Sequence, residues 1–177
     1  MTYKLYYSTG SSAMAPQAIL NEIGAPTEFI LIDDDKNEQK SAAYMKLNPH
    51  GRVPTMIYDD GKIMYESAAI CEFLEETVDQ SPMISGTAPN RAEIRRLAAW
   101  FDEQFYMQVV GPLLHERMEK RLVHRAAPDG GVLRQAMKNA NQLLDYIDWL
   151  LDHRNWLAGA SLSLADLAGA AHISVAD

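Results

Sequence analysis

The chain has 177 residues, of which 47% are hydrophobic and 23% charged, a balance that places it with ordinary globular proteins and away from disorder. Its formal charge of -8 argues against a nucleic-acid binder, which needs a basic face to release counterions from phosphates. Up to Thr77 six Lys and Arg stand against twelve Asp and Glu. The acidic runs Asp33-Asp34-Asp35 and Glu75-Glu76 read as solvated loop and helix ends. Cys71 is the sole cysteine, which excludes a disulfide framework and a CxxC redox motif. The N-terminus lacks a signal peptide's apolar core, and no apolar run approaches the ~20 residues that cross a bilayer. The expectation is a cytoplasmic protein without membrane contact.

In chain order, Lys4 to Tyr7 reads as a short strand and Ser8 to Ser12 as a loop. A helix is expected from Met14 to Ile23, with Met14, Ala18, Ile19 and Ile23 inward, and Gly24-Ala25-Pro26 ends it. Phe29 to Ile32 is continuously apolar, as in a strand buried on both faces. Glu38 to Leu47 reads as a helix ended by Asn48-Pro49. Pro54 to Tyr58 and Lys62 to Tyr65 form a hairpin around Asp59-Asp60-Gly61, and Ser67 to Thr77 is a helix with Ile70, Phe73 and Leu74 inward. The order β-α-β-α-β-β-α fills residues 1–77 with a sheet of four strands backed by helices.

Residues 78–89, rich in Ser, Pro and Gly, read as a linker, and residues 90–177 as all helical. From Asn90 to Met118 one apolar stripe runs through Ile94, Leu97, Ala98, Phe101, Phe105 and Val109. A second set, Trp100, Met107, Val110 and Leu114, lies off it, so this helix is expected to pack on the first domain or on a second copy. Glu119 to Gly131 reads as an exposed, basic-leaning loop, and Val132 to His153 as an amphipathic helix. Ser163 with Asp166 three residues on, flanked by Leu162 and Leu167, is a helix start with a hydrophobic staple. The apolar pattern continues to Asp177 without a stop signal, so the helical domain is expected to be cut short.

Three segments carry candidate chemistry. In Tyr6-Tyr7-Ser8-Thr9-Gly10-Ser11-Ser12 a hydroxyl stands at a helix N-terminus, where an anion is favoured; Ser11 and Ser12 are equally good helix caps. No Gly-Lys-Ser/Thr follows, which argues against a nucleotide loop. In Asn48-Pro49-His50-Gly51-Arg52-Val53-Pro54-Thr55 a proline opening a strand leaves Val53 extended, with backbone groups available to an outside peptide. Glu66-Ser67-Ala68-Ala69-Ile70 puts Ser67 where a helix begins, as a carboxylate grip or as a cap, with Glu66 beside it to take an ammonium.

Together the three resemble the glutathione-binding domain of bacterial glutathione transferases, and Ser163-Leu164-Ala165-Asp166 resembles the capping box of that family's helical domain. The resemblance implies a thioredoxin-like N-terminal domain followed by an all-helical C-terminal domain, glutathione as co-substrate, no metal, and a homodimer. It implies that Val53 pairs its backbone with the cysteinyl part of glutathione, that Pro54 is a cis proline, and that Glu66 and Ser67 hold the γ-glutamyl group. Ser12, and next to it Ser11, falls where family members keep the residue facing the sulfur. The implied reaction is attack of the glutathione thiolate on a hydrophobic electrophile, a thiol being a poor nucleophile until ionised. Trp100, Tyr106 and Met107 are the expected wall of the second-substrate pocket.

Two features depart from that pattern. Cysteine-type members carry a His-Lys pair shortly before the proline of the first long helix, whereas Met107 and Gln108 precede Pro112 here. The stretch Leu97 to Phe105, with Val110-Gly111-Pro112-Leu113 and Trp156 to Ser163, resembles the FtsZ-binding, glutathione-transferase-like division proteins of alphaproteobacteria, which implies an adaptor instead of an enzyme. Other chemistry has little support: the five histidines show no paired-ligand spacing, no Gly-x-Ser-x-Gly elbow occurs, and Cys71 follows an inward Ile70 as a small packing residue.

Overall fold

The computed structural model describes residues 2–9, 12–77, 83–122 and 124–176. The chain divides into two compact units, Met1–Met83 and Ile84–Asp177.

In the first unit, β1 (Tyr3–Tyr7), α1 (Met14–Glu22), β2 (Thr27–Leu31), β3 (Thr55–Tyr58), β4 (Lys62–Tyr65) and α2 (Ser67–Thr77) build a four-stranded sheet in the order β2-β1-β3-β4. β1 pairs parallel with β2 and antiparallel with β3, and β3–β4 is the expected hairpin. This is the thioredoxin-like arrangement. Period-two patterning puts Tyr3 and Leu5 in the core while Lys4 faces out and pairs with Glu28 across the strands at 2.7 Å. α1 buries Ala15, Pro16, Ile19 and Leu20, a face rotated from the expected one. It packs on α2, which buries Ile70, Cys71 and Leu74.

Two expectations are corrected here. β2 is an edge strand rather than one buried on both faces, and Leu31 is 54% exposed. The helix expected over Glu38 to Leu47 is two separate 3₁₀ turns, Glu38–Lys40 and Tyr44–Lys46, preceded by a third at Asp34–Lys36. Asn37 in the left-handed region and Ser41 in extended backbone break the continuity. The Asp33 carboxylate caps the first turn, accepting from the amides of Asp35 and Lys36. The Lys36 side chain beside it lowers the Asp33 pKa below the usual carboxylate value.

In the second unit helix begins at Ala88, two residues earlier than expected, because Thr87 and Asn90 close a capping box around Pro89. α3 (Ala88–Trp100), a π-helical stretch Phe101–Val110, α4 (Gly111–Leu114), a second π-helical stretch His115–Glu119 and α5 (Lys120–Leu122) follow without a gap. Pro112 supplies no amide and would crowd the carbonyl four residues back, so the chain widens before it. The Gln108 carbonyl, left without that donor, accepts from the Asn139 side chain at 3.1 Å. The loop expected over Glu119 to Gly131 is therefore shorter, since helix persists to Leu122 and resumes in α6 (Gly130–Leu151). Asp129 caps α6 through the amides of Gly131 and Val132. Buried Glu116 holds that cap by accepting from the Asp129 amide and from Lys120 Nζ, which together keep its carboxyl below the usual range.

α7 (Leu164–Ala176) packs on α3 and the first π-helical stretch. Gly169 lies so close to Phe101 that a β-carbon there would meet its Cζ at 2.9 Å. The Asp166 carboxylate accepts from the Ser163 amide, the Ser163 hydroxyl and the Leu157 amide at 2.7 to 2.9 Å, so the expected helix start also ties down the preceding turn. No described helix is long and apolar enough to cross a membrane.

Candidate functional site

Strand register brings the three sequence segments together. Thr55 pairs with Tyr6 on one side and with Tyr65 on the other. The end of β1, the entry to β3 and the exit from β4 therefore emerge side by side, although β1 ends at Tyr7 and β3 begins only at Thr55. A hydrogen bond seals the arrangement: the Ser67 hydroxyl donates to the Ser12 carbonyl at 2.8 Å. That commits the hydroxyl proton of Ser67. A carboxylate arriving at α2 would meet the backbone amides of the first turn instead, those of Ser67, Ala68 and Ala69, which have no acceptor within the helix.

The Val53–Pro54 peptide bond is cis. Pro54 is buried and Val53 half-buried. Neither the amide nor the carbonyl of Val53 has a partner among the described residues, so one strand-like residue presents both groups to an external extended peptide. Its position is set by a buried polar network. The Tyr44 hydroxyl donates to the Arg52 carbonyl and lies 2.8 Å from the Thr55 hydroxyl. Asn48 Nδ2 donates to the same two oxygens, at 2.9 and 3.2 Å, and Asn48 Oδ1 accepts from the His50 amide. Tyr44, Asn48 and Thr55 are all under 5% exposed, and burial raises the Tyr44 phenol above its ordinary pKa. Gly51 completes the turn at φ 58°, where a β-carbon would sit 2.8 Å from the Gln39 carbonyl. Only glycine fits there.

Glu66 links β4 to α2 in the left-handed region at φ 77°, a conformation that costs a non-glycine residue roughly 1 to 2 kcal/mol. Its side chain is exposed and its carbonyl accepts the first bond of α2, from Ile70. Ser12 is exposed, and it does not cap α1: Ala13 stands at the cap position without a side-chain bond. The Ser12 hydroxyl has no partner among the described residues. Ser11 lies outside the described residues. Sequence reasoning passed over Tyr44, Asn48 and Lys40, whose Nζ donates to the His50 carbonyl and places a cation beside the Val53 loop. For Asn48 a signal was available, since Asn before Pro is a turn former whose side chain bonds the backbone two residues on.

The three residues expected to line a second-substrate pocket all lie on the long helical stretch of the second unit. Trp100 packs against Phe101, Phe105 and, on α6, Tyr146. Tyr106 meets the ring of His172 on α7, whose Nε2 lies 2.8 Å from Asp102 Oδ1. Met107 is 70% exposed. Among the described residues no cluster of His, Cys, Asp and Glu has the geometry of a metal site.

Comparison with known proteins gives the scaffold its place. Residues 13–77 match the glutathione S-transferase N-terminal domain. Glutathione S-transferase hmp2 of Hypomyces subiculosus is 30% identical over 169 residues, covering 94% of this chain and 79% of that protein. The chain belongs to the glutathione transferase family. Within it, the FtsZ-localized protein A of Caulobacter vibrioides is 44% identical over 137 residues, which is 76% of this chain and 60% of that protein. The structure of FzlA from C. crescentus superimposes with a TM-score of 0.92 at 36% identity, over 99% of this chain and 78% of that one. The transferase fold is thus a thioredoxin-like sheet followed by a helical domain, and the chain spans less than two thirds of the length of FtsZ-localized protein A.

Proposed function

We propose that this glutathione transferase-fold protein acts as an adaptor that binds the cell-division protein FtsZ. The observation that carries the reading is the 44% identity to a protein named for its localisation with FtsZ. The helical unit supports it: where cysteine-type transferases resemble one another in a polar His-Lys pair, this chain has Met107 and Gln108, and Met107 stands open to solvent. Exposed methionine suits an adaptable protein contact better than proton or anion chemistry.

The sheet end supports a second reading, glutathione binding with or without conjugation. Glutathione is an extended tripeptide with carboxylates at both ends. The unpaired backbone of Val53 suits its cysteinyl residue, the first turn of α2 suits the γ-glutamyl carboxylate, Glu66 suits the ammonium, and Lys40 suits the glycyl end. In that reading Ser12, with Ser11 next to it, donates to the sulfur anion. Each unit of pKa depression corresponds to about 1.4 kcal/mol. A hydrophobic electrophile is the second substrate, and the working unit is a homodimer.

One experiment separates the readings. FtsZ is polymerised and sedimented with the protein, while conjugation of a general electrophile to glutathione is followed in parallel. The adaptor reading expects saturable co-sedimentation and no turnover above the uncatalysed rate. Turnover that falls at least ~10-fold in Ser12→Ala, a transition-state loss above about 1.4 kcal/mol, with no co-sedimentation, would replace it by the enzyme reading.

A further inference from the structure

The cations of the sheet unit are sorted by place. Lys4 pairs with Glu28 and Lys36 with Asp33, each at 2.7 Å, and Lys62 pairs with Asp59 at 3.3 Å. The other three, Lys40, Lys46 and Arg52, are exposed and take part in no ion pair among the described residues. They lie within residues 39–58, a run without Asp or Glu in a unit that holds twelve such residues by Thr77. That run contains the Val53 loop. Lys40 is held in place there: its Nζ donates to the His50 carbonyl at 3.2 Å. Its chain crosses Gly51 so closely that a β-carbon on that glycine would meet Nζ at 2.9 Å. An ammonium held by a neutral acceptor, outside any ion pair, keeps its charge for a ligand.

The same loop offers a peptide contact. The amide and carbonyl of Val53 have no partner among the described residues, and an extended residue with both groups open pairs with an extended chain. Backbone pairing sets where such a chain lies, and the flanking side chains select what it carries. Here the flank is cationic. Free glutathione has one carboxylate on the glycyl side of its cysteinyl residue, which leaves two of the three cations unanswered. A longer chain with several acids answers them all. We infer that the Val53 loop takes a short, extended, acidic segment of a partner protein, paired with Val53 through its backbone and with Lys40, Lys46 and Arg52 through its carboxylates. This rests on the adaptor reading, which makes the partner a protein, and it gives that reading a chemistry within the sheet unit. Pairing with Val53 supplies register, and the cations supply selection and rapid encounter.

The test is fluorescence anisotropy of the full chain with fluorescein-Gly-Glu-Ala-Asp-Glu-Asp-amide. The uncharged counterpart, fluorescein-Gly-Gln-Ala-Asn-Gln-Asn-amide, is expected to bind at least ~10-fold more weakly. The same loss is expected for the acidic peptide with its backbone amides N-methylated, which keeps the charges and removes the pairing. Lys40→Ala combined with Arg52→Ala is expected to cost at least ~10-fold. Lys4→Ala combined with Lys62→Ala makes the same change in net charge on ion-paired lysines and is expected to cost less than ~2-fold; both variants are checked for unchanged circular dichroism. No binding of the acidic peptide at about 1 mM would overturn the inference. So would equal losses in the two double variants, or indifference to N-methylation, which would show a patch for any polyanion. Co-sedimentation with FtsZ is measured on the same proteins. Peptide binding without co-sedimentation removes FtsZ as the partner and keeps the acidic-peptide site. Co-sedimentation without peptide binding keeps the adaptor reading and removes the site.

Discussion

The two units use polar groups in opposite ways. Around Val53 the sheet unit buries three polar side chains, Tyr44, Asn48 and Thr55, and satisfies them against one another and the Arg52 carbonyl. The result is a fixed loop whose next residue, Val53, has an amide and a carbonyl without a partner among the described residues. The helical unit places its polar anchors mainly at helix ends and edges: the Thr87–Asn90 box, Asp129 with Glu116, and Asp166. Its outer faces carry exposed Met107, Met137, Trp149 and Trp156. A buried, fully satisfied network fixes a backbone to sub-ångström tolerance, which a small ligand needs. Caps fix where helices begin while leaving their faces free, which a protein partner needs. One unit is built as a socket and the other as a surface.

The largest expected effect tests the socket. Asn48→Ala removes the donor shared by Arg52 and Thr55 and the acceptor for the His50 amide. Losing those three hydrogen bonds, one of them to the buried Thr55 hydroxyl, is expected to cost about 3 kcal/mol. The three tryptophans, Trp100, Trp149 and Trp156, all lie in the helical unit, so hydrogen exchange at Thr55–Tyr58 reads the sheet unit and tryptophan fluorescence reads the other. Protection in β3 is expected to fall with little change in the fluorescence midpoint in urea. An equal shift in both would show that the units unfold as one, and the contrast between them would lose its energetic meaning.

Next in size is Asp166→Ala, which deletes a charged acceptor shared by three donors and is expected to cost about 2 kcal/mol. Here fluorescence moves and β3 protection should not. A loss below ~0.5 kcal/mol would mean that the helix start is held by packing alone, Gly169 against Phe101 being the contact that would then carry it.

How far the sequence disclosed all this follows the same division. Local signals sufficed for the hairpin at Asp59-Asp60-Gly61, for the α7 start at Ser163 and Asp166, and for the element order of the sheet, because each depends on neighbours in the chain. The three segments at the end of the sheet were visible as motifs, and their convergence follows from strand register. Tyr44 and Asn48 were hidden because their roles arise from contacts across a fold: a tyrosine in an apolar run reads as helix until its hydroxyl is seen on Arg52. β2 read as doubly buried because its apolar run says nothing of its place at the sheet edge. The π-helical stretch was hidden too, since Pro112 predicts a disturbance and not its form.

The smallest effect sharpens the view of the helical unit as a surface held from its edges. Glu93 on α3 accepts from Arg96 of the same helix and from Arg154 beyond α6, while Arg96 also donates to Tyr146 on α6. Arg96 and Arg154 hold the Glu93 carboxyl down to about 2. Because the folded value lies below the ordinary 4.5, ionised Glu93 stabilises the fold fully above about pH 5, and that contribution fades as pH falls toward 2. The network is partly open to solvent, which screens it, so Glu93→Gln is expected to cost only about 1 kcal/mol at pH 7. The difference between variant and wild type, read by tryptophan fluorescence in urea, should shrink steadily between pH 5 and pH 2. A gap that stays constant over that range would mean that Glu93 contributes through shape and hydrogen bonding rather than charge, and α3 and α6 would then be joined by packing of Trp100 on Tyr146.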